Sequence, residues 1–419
     1  MRRLSSSLYL LLVLSILLAV SGCQGSPQSS AQTGEESTAE LGTPYTIGFL
    51  TAASGPASSL GEPERDVAVM IQEQLNAQGG IIGPDGIRHP VNILIYDTES
   101  DGDIAITLAR KLINDDRAVA IVGTTSSPNS MAIIPLVQEA GVANISMASS
   151  GAIVHPIAER HWVFKVAQSN EHTSPWQVRY AKALGITRIA NLYVDNSYGE
   201  DGAEAIRETA RAEGIEIVLE DTFDATATDM TAQIIKIKAS DAEAVLVTAI
   251  PPAAAIFTKQ YRELGVDLPL IHNSGVAMKT FIDLAGASNV EGVVFPMGKL
   301  VAADHLDDDD PQKEVLERFV HDYVESSGKP PCTFAGHAWD ALHIILNVLE
   351  TLPEGLNLEE QRIAVRDGIE NTRGFVGVDG TFNFSAEDHV GLSTDDVVLA
   401  RIENGEWVYF PPESWSAGQ

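Results

Sequence analysis

The sequence predicts an α/β protein made of two doubly wound parallel-sheet units in tandem. Three observations carry this. Short continuous apolar runs alternate with helical stretches, the rhythm of parallel strands covered on both faces. The rhythm resets once, around residues 162–168, and then repeats at similar length. Finally, a chain of 419 residues, 44% hydrophobic and 20% charged, is longer than one core uses and has the apolar material for two.

The first segment is an address. Arg2 and Arg3 precede LYLLLVLSILLAV, residues 8–20, a run short for a membrane span but suited to a signal-peptide core. It ends in Val20-Ser21-Gly22-Cys23, which resembles the lipobox of bacterial lipoproteins. That resemblance implies a signal peptide over residues 1–22, cleavage after Gly22 and lipidation of Cys23. Residues 23–43 are rich in Ser, Thr, Gln, Gly and Glu and bury too little to offset chain entropy, so a flexible tether is expected.

The elements of the body follow in order. Residues 45–50 read as a strand, and 62–78 as a helix stopped by Gly79-Gly80. A strand at 91–97 precedes a helix at 103–114, with Ile104, Leu108 and Leu112 on one face. A strand at 118–122, a helix at 128–140 and a strand at 142–146 complete the first unit. The second unit reads helix 175–184, strand 188–194, helix 200–213, strand 216–219, helix 230–238, strand 244–248, helix 253–264 and strand 268–272. Three helices follow Pro296, at 311–327, 334–352 and 358–371. A strand at 381–384 comes next, and Asn404-Gly405 joins strands 397–402 and 406–410 as a hairpin.

Charge and cysteine content narrow the function. The formal net charge is −31, which repels phosphate backbones and anionic headgroups, so nucleic-acid partners and electrostatic membrane adsorption are not expected. Two cysteines, Cys23 and Cys332, exclude a disulfide scaffold and a zinc site of several thiolates. Cys332 reads as a buried helix residue. The acidic run at residues 307–310, with Asp304, lacks the spaced ligands and glycine turn of a calcium loop. His337 and His343 share a helix but not a face. No metal site, cofactor or catalytic motif is expected.

Specific segments point to a family. The stretch YTIGFLTAASGPASSLGEPERDVAVMIQEQLNAQGGIIG (residues 45–83) resembles the opening of the branched-chain amino-acid-binding family of type I periplasmic binding proteins. Asp97-Thr98-Glu99-Ser100-Asp101, AVAIVGTTSS (118–127), YVDNSYGEDGAE (193–204), Leu264-Gly265-Val266 and Gly328-Lys329-Pro330-Pro331 are similar as well. The likeness runs from about Tyr45 to Phe410. It implies two lobes joined by three crossovers, near Gln168, Pro296 and Phe375, with the ligand cleft between them. Lobe 1 would comprise residues 44–168 and 297–375, and lobe 2 residues 169–296 and 376–412.

Ligands in open α/β sheets bind beyond the carboxyl ends of strands. The loops at 50–61, 123–127, 148–151, 195–199, 249–252 and 273–276 are therefore the candidate cleft. Ser127-Pro128 reads as a helix start, Ser as cap and Pro as first helical residue, aiming free N–H groups at an anion. By resemblance, Ser127 grips a ligand carboxylate, Ala148 offers a backbone contact, Ser150 a hydroxyl and Tyr198 an aromatic wall. Without the resemblance, Ser127 is a helix cap, Ser150 a loop hydroxyl and Tyr198 a packing residue. Four positions depart from the family: Leu60 and Ile250 stand for tyrosines, Ser274 for the carboxylate that meets the ligand ammonium, and Asn170 for an aspartate. The carboxylate clamp is kept and the ammonium clamp largely lost, with Glu62 or Asp195 as possible displaced counter-charges.

The function expected is an extracytoplasmic solute-binding lipoprotein. It would be monomeric, held to the bacterial cell membrane only by its lipid, and would deliver an amino acid or related small carboxylate or amide to an ABC permease. The alternative is a binding module that senses the ligand for a membrane signalling partner. An enzyme is not expected.

Overall fold

The computed structural model of the chain describes residues 41–415. The expected signal peptide, Cys23 and residues 24–40 of the tether lie outside the described residues.

The first sheet is built as the apolar runs require. Strands β1 (Tyr45–Thr51), β2 (Val91–Asp97), β3 (Ala120–Gly123), β4 (Ala143–Ser146) and β5 (Val163–Lys165) are all parallel, in the order β2-β1-β3-β4-β5. Helices α1 (Ser58–Gln78), α2 (Gly102–Asn114) and α3 (Ser127–Ala140) connect them. α1 ends where the glycine pair predicts: Gly79 is left-handed (φ 76°), and Gly80 N–H returns to the Leu75 carbonyl. Its start lies ahead of residue 62, because the helix runs on through Pro63 and lays Gly61 flat against the end of β1. A Cβ there would sit 2.2 Å from the Ala52 carbonyl oxygen.

The second sheet follows α4 (Asn170–Ala183). It takes β6 (Arg188–Val194), β7 (Glu216–Phe223), β8 (Ala244–Thr248), β9 (Leu270–His272) and β10 (Val294–Gly298), with α5 (Ser197–Glu213), α6 (Thr231–Ala239), α7 (Ala253–Glu263) and α8 (Lys279–Ala285) between. Here β10 is a strand that the sequence reading passed over. Pro296 cannot donate to a ladder and reads as a break, yet it sits inside β10, opposite Leu399. The chain therefore leaves this sheet after Gly298.

Three helices then pack back on the first sheet: α9 (Pro311–Ser327), α10 (Thr333–Leu349) and α11 (Leu358–Glu370). Arg362 of α11 donates to the carbonyls of Ile113 (2.8 Å) and Ala118 (3.0 Å), tying α11 to the entry of β3. Phe375 opens a small ribbon that stays with these helices, its ring stacked on Trp339. Only then does the chain return to the second sheet as β11 (Val397–Glu403) and β12 (Glu406–Tyr409), giving the order β12-β11-β10-β9-β8-β6-β7. The turn between them has Asn404 at φ 54° and Gly405 at φ 79°, as an Asn-Gly hairpin demands. None of the described helices is long and apolar enough to cross a membrane.

Candidate functional site

Both sheets reverse their winding at equivalent places, between β1 and β3 in one and between β6 and β8 in the other. Such switch points open a crevice beyond the strand ends. The two crevices face each other around one cavity of about 240 Å³. Every loop expected in the cleft contributes to its wall, for example Ala57, Ser127, Ala148, Asn196, Ile250 and Gly275.

Parallel strands force each following helix to begin at this edge. The opening residues of α1, α3, α5 and α7 line the cavity, and so do Thr333, Phe334 and His337 from the start of α10. Only α5 has a side-chain cap, Asn196 accepting from the N–H groups of Tyr198 and Gly199. α1, α3, α7 and α10 have none. The helix dipoles, with the uncapped N–H groups of α3, α7 and α10, make the cavity wall positive without a lysine or arginine. In α1 the Ser58, Leu60 and Gly61 N–H groups already donate to the Gly55 and Ala57 carbonyls.

The first-lobe candidates separate on inspection. The cap of α3 is Ser126, one residue earlier than expected, and Ser127 is the first helical residue. Ser126, Ser127, Pro128 and Asn129 all face the cavity. Ser127 Oγ accepts from the Ser150 N–H (3.2 Å), which leaves its own proton to donate. Ala148 lines the cavity, but its N–H already donates to Ser146 Oγ (3.1 Å), so its carbonyl is the free group. Ser150 is fully buried outside the lining, its Oγ accepting from the Ala152 N–H (3.3 Å). Leu60 forms part of the apolar wall.

In the second lobe, Tyr198, Ile250 and Ser274 reach the cavity and Asn170 does not. The Tyr198 hydroxyl is buried against the Ser274–Gly275 turn, where a Cβ on Gly275 would approach it to 2.7 Å, and burial raises its pKa. Ser274 Oγ donates to Asn273 Oδ1 (3.2 Å), which leaves oxygen lone pairs available. Asn170 is a buried strut. Its Nδ2 donates to Asp201 Oδ2 (2.7 Å) and the Tyr198 carbonyl (3.2 Å), and its Oδ1 accepts from Asn273 (3.3 Å).

Among the described residues, none lining the cavity is Asp, Glu, Lys or Arg. Glu62 and Asp195, the displaced counter-charges weighed from sequence, are exposed and outside the lining. Asp379 and Glu64 are buried acids directly beneath the wall. Asp379 Oδ2 lies 2.5 Å from His337 Nδ1, and Glu64 is fully buried and hydrogen-bonded to the hydroxyls of Thr125 (2.5 Å) and Thr51 (2.7 Å). Burial pushes the Glu64 carboxyl up to about 8, so it is neutral at neutral pH. Cys332, the cap residue of α10, is buried with its thiol pushed up to about 11. Sequence reasoning missed Gln168, Thr226, Thr333, Phe334 and His337. They sit on a crossover, on the β7 loop and on a helix from far along the chain, and no local pattern marks them.

Residues 44–406 match the family model described as "Periplasmic binding protein". The chain belongs to that family. A Pseudomonas aeruginosa "Amino acid binding protein" is 26% identical over 256 residues, 60% of this chain and 66% of the relative, just under two thirds of its length. "Leu/Ile/Val-binding protein homolog 7" of Brucella suis is 26% identical over 304 residues, 68% of this chain and 71% of that one. Among solved structures, an extracellular ligand-binding receptor from Rhodopseudomonas palustris superposes with a TM-score of 0.79 at 26% identity, covering 88% of this chain and 99% of that one. The branched-chain amino acid transporter substrate binding protein LivJ from Streptococcus pneumoniae, in complex with isoleucine, gives 0.74 at 23% identity, covering 88% and 100%. That last likeness bears on the fold: both chains are type I periplasmic binding proteins in architecture.

Proposed function

We propose that this protein captures a small carboxylate, an amino acid or a deaminated or amide relative, between its lobes and delivers it to an ABC importer. It would do so outside the cytoplasm as a monomeric lipoprotein anchored through Cys23. The observation that carries the reading is a cavity with four helix starts that lack a side-chain cap and, among the described residues, no Asp, Glu, Lys or Arg in its lining. Helix starts suit a carboxylate. Leu60, Met147, Ile250 and Phe334 suit an apolar body. The names of relatives support the class, since one from Pseudomonas aeruginosa is a "Leucine-, isoleucine-, valine-, threonine-, and alanine-binding protein".

The ammonium decides the ligand. A buried ammonium without a counter-charge is costly, and here it would meet only hydroxyl and carbonyl oxygens such as Ser274 Oγ. Removing the amino group should therefore weaken binding little. Calorimetry on leucine and its keto acid tests this: affinities within about tenfold are expected. Tight leucine binding with no keto-acid binding would reject it. Ser127→Ala should weaken a bound carboxylate about ten- to a hundredfold, the worth of one charged hydrogen bond. For the anchor, Cys23→Ala should release the protein from membranes, and unchanged fractionation would reject lipidation.

A further inference from the structure

We infer that Asp85, His89 and Glu354 form a binding site for a zinc-class divalent cation, at the edge of the first sheet opposite the cavity. Asp85 and His89 lie on a short hairpin (Ile81–Ile82 paired with Arg88–His89) that leads into β2, and Glu354 lies on the α10–α11 connection. Their ligand atoms all fall within 4.8 Å of one another.

The imidazole carries the inference. His89 is 2% exposed, and its Nδ1 lies 3.0 Å from the Thr43 carbonyl oxygen. A carbonyl only accepts, so Nδ1 carries a ring proton, and in the neutral imidazole Nε2 is the nitrogen that presents a lone pair. Nε2 is buried without a hydrogen-bond partner, 3.7 Å from Asp85 Oδ2 and 3.8 Å from Glu354 Oε1. This nitrogen faces two carboxylates that share a side-chain hydrogen bond with each other, and a divalent cation between the three groups would take the place of that proton. Both separations are too long for a direct N–H···O hydrogen bond. They lie slightly wider than the edge of a tetrahedral zinc site, about 3.4 Å for metal–ligand bonds near 2.1 Å. A backbone carbonyl that fixes the tautomer is the outer-shell arrangement of metal-bound histidines.

The surroundings keep the ring still and the space open. Tyr45 stacks on His89 with centroids 5.4 Å apart. Gly42 abuts the ring, where a Cβ would come within 2.3 Å of it. A Cβ on Gly83 would sit 2.9 Å from Nε2 and 3.0 Å from Asp85 Oδ1, so glycine leaves room beside both donors. Asp85 Oδ1 accepts from the Ile87 N–H (2.8 Å), leaving Oδ2 to turn inward. The side chains of Asp85 and Glu354 are 23% and 46% exposed, which opens a fourth position to water. Imidazole with carboxylates favours zinc over calcium or magnesium. The ion would join two segments remote in sequence, the hairpin before β2 and the α10–α11 connection, so its expected role is to stabilise the first lobe.

The test is calorimetry of the chelator-stripped mature chain with zinc chloride. One saturable equivalent is expected, with a rise in melting temperature. His89→Gln should weaken binding at least a hundredfold. Asp85→Asn and Glu354→Gln, at accessible positions that leave the core intact, should each weaken it at least tenfold. Three results would overturn the site: no saturable zinc uptake by the wild type, uptake undiminished in both carboxylate variants, or saturable calcium binding with zinc refused.

Discussion

Glu64 shows how one residue can tie the cavity wall to solution pH. Its carboxyl is fully buried on α1, against Thr51 and Thr125, with Oε1 unpartnered. Burial raises the folded-state pKa from the ordinary 4.5 to about 8. The unfolded chain ionises this group first, so its contribution to stability is complete below pH 4.5 and is lost as pH climbs toward 8. The slope in that window is about 1.4 kcal/mol per pH unit. Buried Lys165, lowered to about 7, acts with the opposite sign above that pH, so a comparison is needed to isolate Glu64. Glu64→Gln keeps an acceptor for both threonines and removes the titration. Between pH 5.5 and 7.5 the wild type should lose roughly 2–3 kcal/mol relative to the variant in denaturant unfolding. Parallel curves would show that Glu64 ionises freely. At this scale Ser127 and Tyr198 were readable, since each follows a strand end. Ser150 and Asn170 were not distinguishable from them. Whether a loop side chain faces a cavity or a neighbouring backbone depends on partners such as Ala152, Asp201 and Asn273.

Each lobe starts a cavity helix with the same device. Gly61 lies flat against the Ala52 carbonyl, and Gly199 lies closer still against Val194, where a Cβ would approach the carbonyl oxygen to 1.8 Å. These contacts press the first turns of α1 and α5 onto the ends of β1 and β6 and set Leu60 and Tyr198 at the wall. Gly199→Ala should cost about 1–3 kcal/mol by overpacking and also weaken ligand binding as Tyr198 shifts. Gly214→Asn, at the left-handed end of α5 (φ 73°) with open space around it, should change both little. Equal effects in the two variants would show that the close contact is not what positions the helix. The end of α5 was readable because a left-handed glycine is a local signal. The start, at Ser197 rather than residue 200, was not, because it depends on how the turn packs on β6.

At the scale of the molecule, the chain passes between the sheets after Lys165, after Gly298 and before Val397. Across the cleft, Asp201 of α5 accepts from the Gly151 N–H, 3.1 Å and 3.2 Å from its two oxygens. A hinge around the three crossovers is expected to let the lobes open and close around a solute. Small-angle scattering should show the radius of gyration falling when a solute confirmed by calorimetry is added to saturation. An unchanged radius would mean that the cavity fills without lobe motion.

The sequence by itself determined the strand–helix alternation, two parallel units, the helix stops at glycine, the Asn404-Gly405 hairpin and the set of loops that meet at the strand ends. All of these rest on short-range physics: apolar period, backbone freedom and the fixed direction of a parallel strand. Tertiary structure alone decided which side chains enter the cavity, that Pro296 lies within a strand, and that Thr333, Phe334 and His337 join loops from far along the chain. It also brought Glu354 to Asp85 and His89 at the opposite edge. Those outcomes depend on packing between segments distant in sequence, and no local period or spacing encodes which distant partner will arrive.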